Sequence, residues 1–152
     1  MGKNKDSKEN AGRKTELIRS VKFVLVSVSA GIIELGSFTL LNEILELDYW
    51  VSYVIALVLS VLWNFTVNRR YTFKSASNVP KAMALVFLFY VFFAPLSSLL
   101  EHYLAGVLGW NEYFVTLINM GLNLALEFPY QRYFVFRDTL DTNDIAQKEK
   151  QE

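Results

Sequence analysis

The sequence contains no cysteine and a single histidine, His102. Without cysteine it has neither a disulfide framework nor a thiolate metal site, and nothing near His102 has the spacing of metal ligands. The chain also lacks a glycine-rich phosphate loop, a Ser/His/Asp set and paired histidines. We therefore expect a protein that is not an enzyme and that uses no metal and no cofactor.

Positive charge is missing from two of the connections between apolar segments. Fifteen basic and fifteen acidic residues give zero net charge, and all fifteen bases fall in three stretches. Seven bases lie at or before Lys22, four lie in 69–81 and four lie in 132–150. Because basic flanks of membrane helices stay in the cytoplasm, this separation predicts that both termini face inward. It gives no reason to expect nucleic acid as a partner.

Long apolar segments dominate the remaining sequence, which is 53% hydrophobic. A helix of about 20 apolar residues crosses the hydrocarbon core of a membrane. The predicted spans are about 21–41, 50–68, 83–104 and 113–131. We predict an all-α membrane protein with a four-helix transmembrane domain over 16–137 and disordered cytoplasmic tails at 1–15 and 138–152.

The second and fourth apolar segments end in similar sequences. A shift of 63 positions superposes identical or similar residues. The pairs are Phe65/Phe128, Arg69/Arg132, Phe73/Phe136, Ser60/Asn123, Asn64/Glu127 and Asn68/Gln131. We interpret this as two tandem two-helix repeats, which with both termini inside are related by a pseudo-twofold axis along the membrane normal. The alternative is that two helices ending on the same side acquired similar aromatic and basic borders independently.

Polar side chains recur inside the predicted spans and define a candidate polar track. They are Glu34, Ser60, Asn64, Asn68, Asn119, Asn123, Glu127 and Gln131. Asn119, Asn123 and Glu127 are spaced by four residues and therefore share one helix face. Asn and Ser in membrane helices often serve only to hold helices together. A carboxylate in hydrocarbon costs at least a few kcal/mol, which favours a functional role for Glu34 and Glu127.

Arg69 and Arg132 occupy the inner ends of the second and fourth predicted spans. A planar guanidinium binds phosphate oxygens in a forked geometry that lysine cannot match, so both arginines are candidate phosphate ligands. The alternative is that they extend to the membrane surface and only fix the topology.

Three stretches carry a resemblance to a known family. They are Lys22-Phe23 with Gly31 and Glu34, Asn64-Phe65 with Asn68-Arg69 and Tyr71-Thr72-Phe73, and Asn119 with Arg132 and Val135-Phe136. Together they resemble the GtrA-like family of small four-helix bacterial membrane proteins, whose domain is also fused to some dolichol-phosphate mannose synthases. Two features depart from the family pattern: Glu127 stands where members more often have Asn, and the third helix lacks the charges that many members carry.

This resemblance implies handling of polyprenyl-phosphate-linked sugars during cell-surface polysaccharide synthesis or cell-wall glycosylation, in a bacterial cell membrane. The expected partners are the lipid-linked sugar, membrane lipids, a membrane glycosyltransferase and further copies of the chain. Three functions remain open: a flippase for the lipid-linked sugar, a non-transporting scaffold for a glycosyltransferase, and a small multidrug or cation exporter.

Overall fold

The computed structural model describes residues 3–151, and within this range the chain is helical and contains no strand. Its five α-helices are α1 (Lys3–Thr39), α2 (Tyr49–Val67), α3 (Val79–Glu101), α4 (Glu112–Tyr130) and α5 (Asp144–Glu149). The chain forms two compact units. Unit 2 is Ser75–Leu140, and unit 1 comprises the described residues on either side of it.

In unit 1, helix α1 packs along helix α2. One π-helical turn, Leu40–Ile44, ends α1, and a second π-helical turn, Asn68–Thr72, continues α2. The aromatic rings of Phe23 and Phe73 are fully buried and meet edge to face, with 6.1 Å between their centroids. This buried pair joins the middle of α1 to the residue that follows the π-helical turn after α2.

Unit 2 contains a second helix pair, α3 and α4. Asn78 caps α3 by accepting a 3.1 Å hydrogen bond from the backbone N–H of Lys81, and Pro80 occupies the first turn, where its missing N–H leaves no hydrogen bond unmade. A π-helical turn again follows each long helix, at His102–Val107 and at Gln131–Val135. Val86 and Phe136 are buried in this unit.

The same local backbone features occur in both units at a spacing of 63 residues. α2 and α4 begin and end 63 positions apart, as do the π-helical turns that follow them. The left-handed residue before each of these helices also matches, since Glu46 has φ 52° and Gly109 has φ 69°. The shift of 63 positions that aligns similar residues in the sequence therefore also aligns these local backbone features.

Three helices in the described part of the chain are long and apolar enough to cross a membrane. They cover Asn10–Ile44, Val51–Thr72 and Val79–Val107. Most of their large apolar side chains are exposed, as expected for helices that face lipid. The fourth span, at α4, stays a prediction.

Both ends of the chain differ from the sequence prediction of disordered tails. Helix α1 already begins at Lys3, and the Lys, Arg, Glu and Ala residues of this polar segment are ones that favour helices. In the C-terminal tail, residues 144–149 form α5, and the segment packs on unit 1. Asp141 and Glu149 of this tail pair with bases far away in the sequence, a match that no local pattern reveals.

Candidate functional site

A ladder of polar side chains follows one face of helix α2 in unit 1. The Asn68 side-chain amide donates to Asn64 Oδ1 at 2.8 Å, and the Thr72 hydroxyl donates to Asn68 Oδ1 at 2.8 Å. Ser27 on α1 donates to the same Asn64 oxygen at 3.4 Å. Spacing by four residues places these groups one above another on the helix. Asn68 and Thr72 are buried, so the ladder is an internal feature of this unit.

A second polar contact in unit 1 involves the carboxylate of α1. The Ser60 hydroxyl donates to Glu34 Oε2 at 2.9 Å. Nearby, the Trp63 indole N–H donates to the Ser29 hydroxyl at 3.0 Å. Ser60 and Asn68 are eight positions apart in the sequence, or about 12 Å along a helix at 1.5 Å per residue. The polar groups of this unit therefore extend over a large part of α2.

Unit 2 contains a network centred on a buried carboxylate. The Gln131 amide donates to Glu127 Oε1 at 2.9 Å, and the Tyr90 hydroxyl of α3 donates to Glu127 Oε2 at 3.0 Å. Asn123 also interacts with the Tyr90 hydroxyl. Glu127 is 2% exposed and Gln131 is 1% exposed. Each carboxylate oxygen thus has a neutral donor, which stabilises it away from water.

The two networks have the same construction. Asn64 and Glu127 are equivalent under the shift of 63, as are Asn68 and Gln131, and these pairs were predicted from the sequence. The structure adds Ser27 and Tyr90, which are also 63 positions apart and supply the donor from the preceding helix. Neither residue was predicted from the sequence, although the same shift, extended to the first and third spans, aligns them.

Asn119 and Gln131 each have a buried side-chain oxygen that accepts no hydrogen bond within the described part of the chain. Asn119 donates to the Ser97 carbonyl at 3.3 Å. Within the described part of the chain, its Oδ1 and Gln131 Oε1 are buried and have no hydrogen-bond partner. Buried acceptors are almost always paired, so an unpaired one is able to receive a donor from a ligand. A hydroxyl group is such a donor.

The two predicted phosphate ligands directly follow the network residues in the sequence. Arg69 follows Asn68, and Arg132 follows Gln131, in the π-helical turns that continue α2 and α4. Both are partly buried. The Arg132 guanidinium lies over the Tyr133 ring at 5.1 Å from its centroid, a contact that orients the planar group.

The predicted site residues divide between the units. Unit 1 contains Glu34, Ser60, Asn64, Asn68 and Arg69, and unit 2 contains Asn119, Asn123, Glu127, Gln131 and Arg132. In unit 1, Glu34 is joined to Ser60, while Asn64 and Asn68 form the separate ladder. In unit 2, Glu127 and Gln131 are joined directly.

Comparison with known proteins gives two matches. A model of the GtrA/DPMS transmembrane domain matches residues 22–136. The uncharacterized membrane protein YwcD of Bacillus subtilis (strain 168) is 23% identical over 121 residues, which cover 77% of this chain and 95% of that relative. The range matched by the family model includes both polar networks and both arginines. It ends before the C-terminal segment that packs on unit 1.

Proposed function

Because the chain belongs to the GtrA/DPMS transmembrane domain family, we propose that it moves polyprenyl-phosphate-linked sugars across the cell membrane. The product would serve cell-surface polysaccharide synthesis or cell-wall glycosylation. Family membership supports the handling of such lipids. One observation supports the transport step. In each unit a buried polar network lies on one helix, and the π-helical turn that continues this helix contains an arginine.

In this proposal Arg69 and Arg132 bind the phosphate of the lipid. Each guanidinium offers a forked set of N–H donors that matches the oxygens of a phosphate. The partial burial of both side chains supports this role, because charge-assisted hydrogen bonds are stronger where less water competes. The isoprenoid chain stays in lipid, along the exposed apolar faces of the helices.

The polar track binds the sugar while it passes through the membrane. Its members are Glu34, Ser60, Asn64, Asn68, Asn119, Asn123, Glu127 and Gln131. Sugar hydroxyls both donate and accept hydrogen bonds, so they suit a track of carboxylate and amide groups. The unpaired oxygens of Asn119 and Gln131 support this role, since each can accept from a hydroxyl.

We further propose that α1 to α4 all span the membrane, with both termini in the cytoplasm, and that the two helix pairs arose by duplication. The positions of the bases support the topology. The helix bounds and hydrogen bonds that repeat at 63 residues support the duplication. A membrane glycosyltransferase that makes or consumes the lipid-linked sugar is the expected partner, and the protein itself performs no catalysis.

The test measures the appearance of polyprenyl-phosphate sugar on the far face of proteoliposomes. The parent protein should accelerate this movement above the rate in protein-free liposomes. Arg69→Lys and Arg132→Lys should each reduce the rate by about tenfold or more, because a forked contact to a charged group contributes about 2 kcal/mol. Arg137→Lys is the matched control, since Arg137 is exposed and its counterpart under the shift is already Lys74.

Two results would contradict parts of the proposal. If the arginine variants insert normally and transport at the parent rate, phosphate capture by Arg69 and Arg132 is wrong. If the parent protein itself does not accelerate movement while it still binds a glycosyltransferase, the scaffold function replaces the flippase.

A further inference from the structure

A basic cavity of about 440 Å³ lies within unit 1, beside the first part of α1 and the end of α2. Its charged lining residues are Arg19, Lys22, Lys74, Lys150, Asp141 and Glu149. Both of the acidic residues come from the C-terminal segment 141–150. Three of the four bases come from α1 and from the residues that follow α2.

Arg19 is the most deeply buried base of this cavity, with its side chain only 6% exposed. Its Nη2 donates to Asp141 Oδ2 at 2.7 Å and its Nε donates to the Thr72 carbonyl at 3.3 Å. Its Nη1 pairs with Glu16. A buried guanidinium needs an anionic partner, and Asp141 supplies one from 122 positions away in the sequence.

The second charge contact of the segment joins Glu149 to Lys74, whose side chain is largely buried. The Lys74 ammonium lowers the pKa of the Glu149 carboxyl below its ordinary value, and Lys22 adds to this effect. Two of the three carboxylates of the segment, those of Asp141 and Glu149, therefore pair with basic side chains that line the cavity.

Backbone hydrogen bonds also hold the segment in place. The Asp141 N–H donates to the Phe73 carbonyl at 3.1 Å, and the N–H groups of Thr142 and Asn143 both donate to the Lys74 carbonyl at 2.9 Å. Lys74 and Asp141 adopt left-handed backbone conformations, with φ of 47° and 53°. This conformation is unfavourable for a lysine and more readily adopted by an aspartate, and both residues lie where the segment attaches.

We propose that this cavity is an anion-binding site for a phosphate group, formed by Arg19, Lys22 and Lys74, and that the C-terminal segment is its built-in competitor. With the segment docked, Asp141 and Glu149 take the place of the phosphate oxygens. With the segment released, Lys22 and Lys74 keep no acidic neighbour among the residues that line the cavity, and Arg19 keeps its pairing with Glu16. A phosphate-bearing lipid headgroup and a free phosphate compound share this chemistry.

The site is separate from the proposed transport step. The cavity is lined by neither Arg69 nor Arg132, and the family match ends at residue 136, before the segment begins. The segment that competes for the cavity thus lies outside the matched domain. Its test measures binding and does not require sugar transport.

The test compares ligand binding by the full-length parent with that of the Asp141→Asn/Glu149→Gln double variant in neutral detergent micelles. One arm titrates inorganic pyrophosphate, and the other titrates phosphatidic acid mixed into the same micelles. The double variant should bind at least one of these probes about tenfold more tightly than the parent, because two competing carboxylates are removed. Asp138→Asn/Glu43→Gln is the matched control, since both of its positions are exposed.

A second substitution keeps the test informative if the double variant folds poorly. Lys22 is exposed, so Lys22→Ala should leave the fold intact. In the parent it should weaken binding several-fold at high probe concentration. Binding of phosphatidic acid alone would assign a headgroup site, and binding of pyrophosphate would assign a site for free phosphate compounds. If neither probe binds the double variant more tightly than the parent, or if Lys22→Ala binds as the parent does, the proposal is overturned.

Discussion

Ser27 and Tyr90 are 63 positions apart and have the same role in their own units. Each donates a hydrogen bond from the first helix of a pair to a polar side chain on the second, to Asn64 at 3.4 Å and to Glu127 at 3.0 Å. A serine and a tyrosine differ greatly in size, yet each hydroxyl donates to one of two side chains that are also 63 positions apart. The hydrogen bonds of the two units are therefore more alike than the side chains that form them.

The contact between Tyr90 and Glu127 should stabilise unit 2. Tyr90→Phe removes one hydrogen bond to a buried carboxyl group and should lower the free energy of unfolding by about 1–3 kcal/mol. In a double-mutant cycle with Glu127→Ala, the two effects should couple by at least about 0.5 kcal/mol, because the groups are in contact. Unfolding in detergent micelles measures both quantities.

Tyr103→Phe is the control for this cycle. Tyr103 is 54% exposed, so loss of its hydroxyl should change the free energy of unfolding by less than about 0.5 kcal/mol. Additive effects of Tyr90→Phe and Glu127→Ala would show that the hydrogen bond contributes no stability.

The two polar ladders should respond alike to equivalent substitutions. Asn68→Ala and Gln131→Ala each remove a buried amide that donates to the side chain one turn earlier. Each change should destabilise its unit by about 1–3 kcal/mol, since the acceptor loses its partner in a buried site. The same unfolding measurement applies, with exposed Asn10→Ala as control. A large effect in one unit and none in the other would contradict the equivalence of the two networks.

The proposed topology can be tested with single cysteines, because the parent chain has none. Cysteine at Asp48 or Asn111 should react with a membrane-impermeant thiol reagent in intact cells. Cysteine at Ala76 or Lys148 should react only after the membrane is opened. Asp48 and Asn111 lie in connections without bases, which are expected outside. Ala76 and Lys148 lie in basic stretches, which are expected in the cytoplasm. Labelling of Ala76→Cys from outside would refute the inward orientation of the middle connection.

Much of the helical structure follows from local sequence features. The predicted spans 50–68 and 113–131 differ by one residue at each end from α2 and α4. Apolar length and aromatic borders determine these limits, and both are visible in a short window. Helices α1 and α3 begin earlier than predicted, at Lys3 and Val79. The reason is that the residues before an apolar span can be helical without being hydrophobic.

The candidate site was only partly predictable. The amides and carboxylates were recognised as candidates because such polar residues are rare in apolar segments. Tyr90 lies among phenylalanines, and an aromatic residue in such a segment does not indicate a polar site. The ion pair of Arg19 with Asp141 connects residues near opposite ends of the chain. Only the folded arrangement of α1, α2 and the C-terminal segment brings these two residues together.

Glu34 provides a test of the sugar pathway that is independent of the arginines. In the proposed topology it lies about 20 Å from the inner start of the first predicted span, at 1.5 Å per residue, and thus in the outer part of the membrane. Its carboxylate accepts from Ser60 at 2.9 Å. Glu34→Gln keeps the size of the side chain but replaces one carboxylate oxygen by an N–H₂ donor, which weakens binding of sugar hydroxyls that donate.

We therefore expect Glu34→Gln to slow the passage of the sugar to the outer end of the track, before its release on the outer face, and to leave phosphate capture on the inner face intact. In proteoliposomes, the overall rate should fall several-fold, while the lipid concentration that gives half-maximal rate should stay unchanged or decrease. Arg69→Lys should instead raise that concentration, because it weakens the initial capture. The matched control is Glu43→Gln, at an exposed carboxylate near the end of the same helix. If Glu34→Gln and Arg69→Lys change the same kinetic parameter in the same direction, Glu34 has no separate role at the outer end of the track.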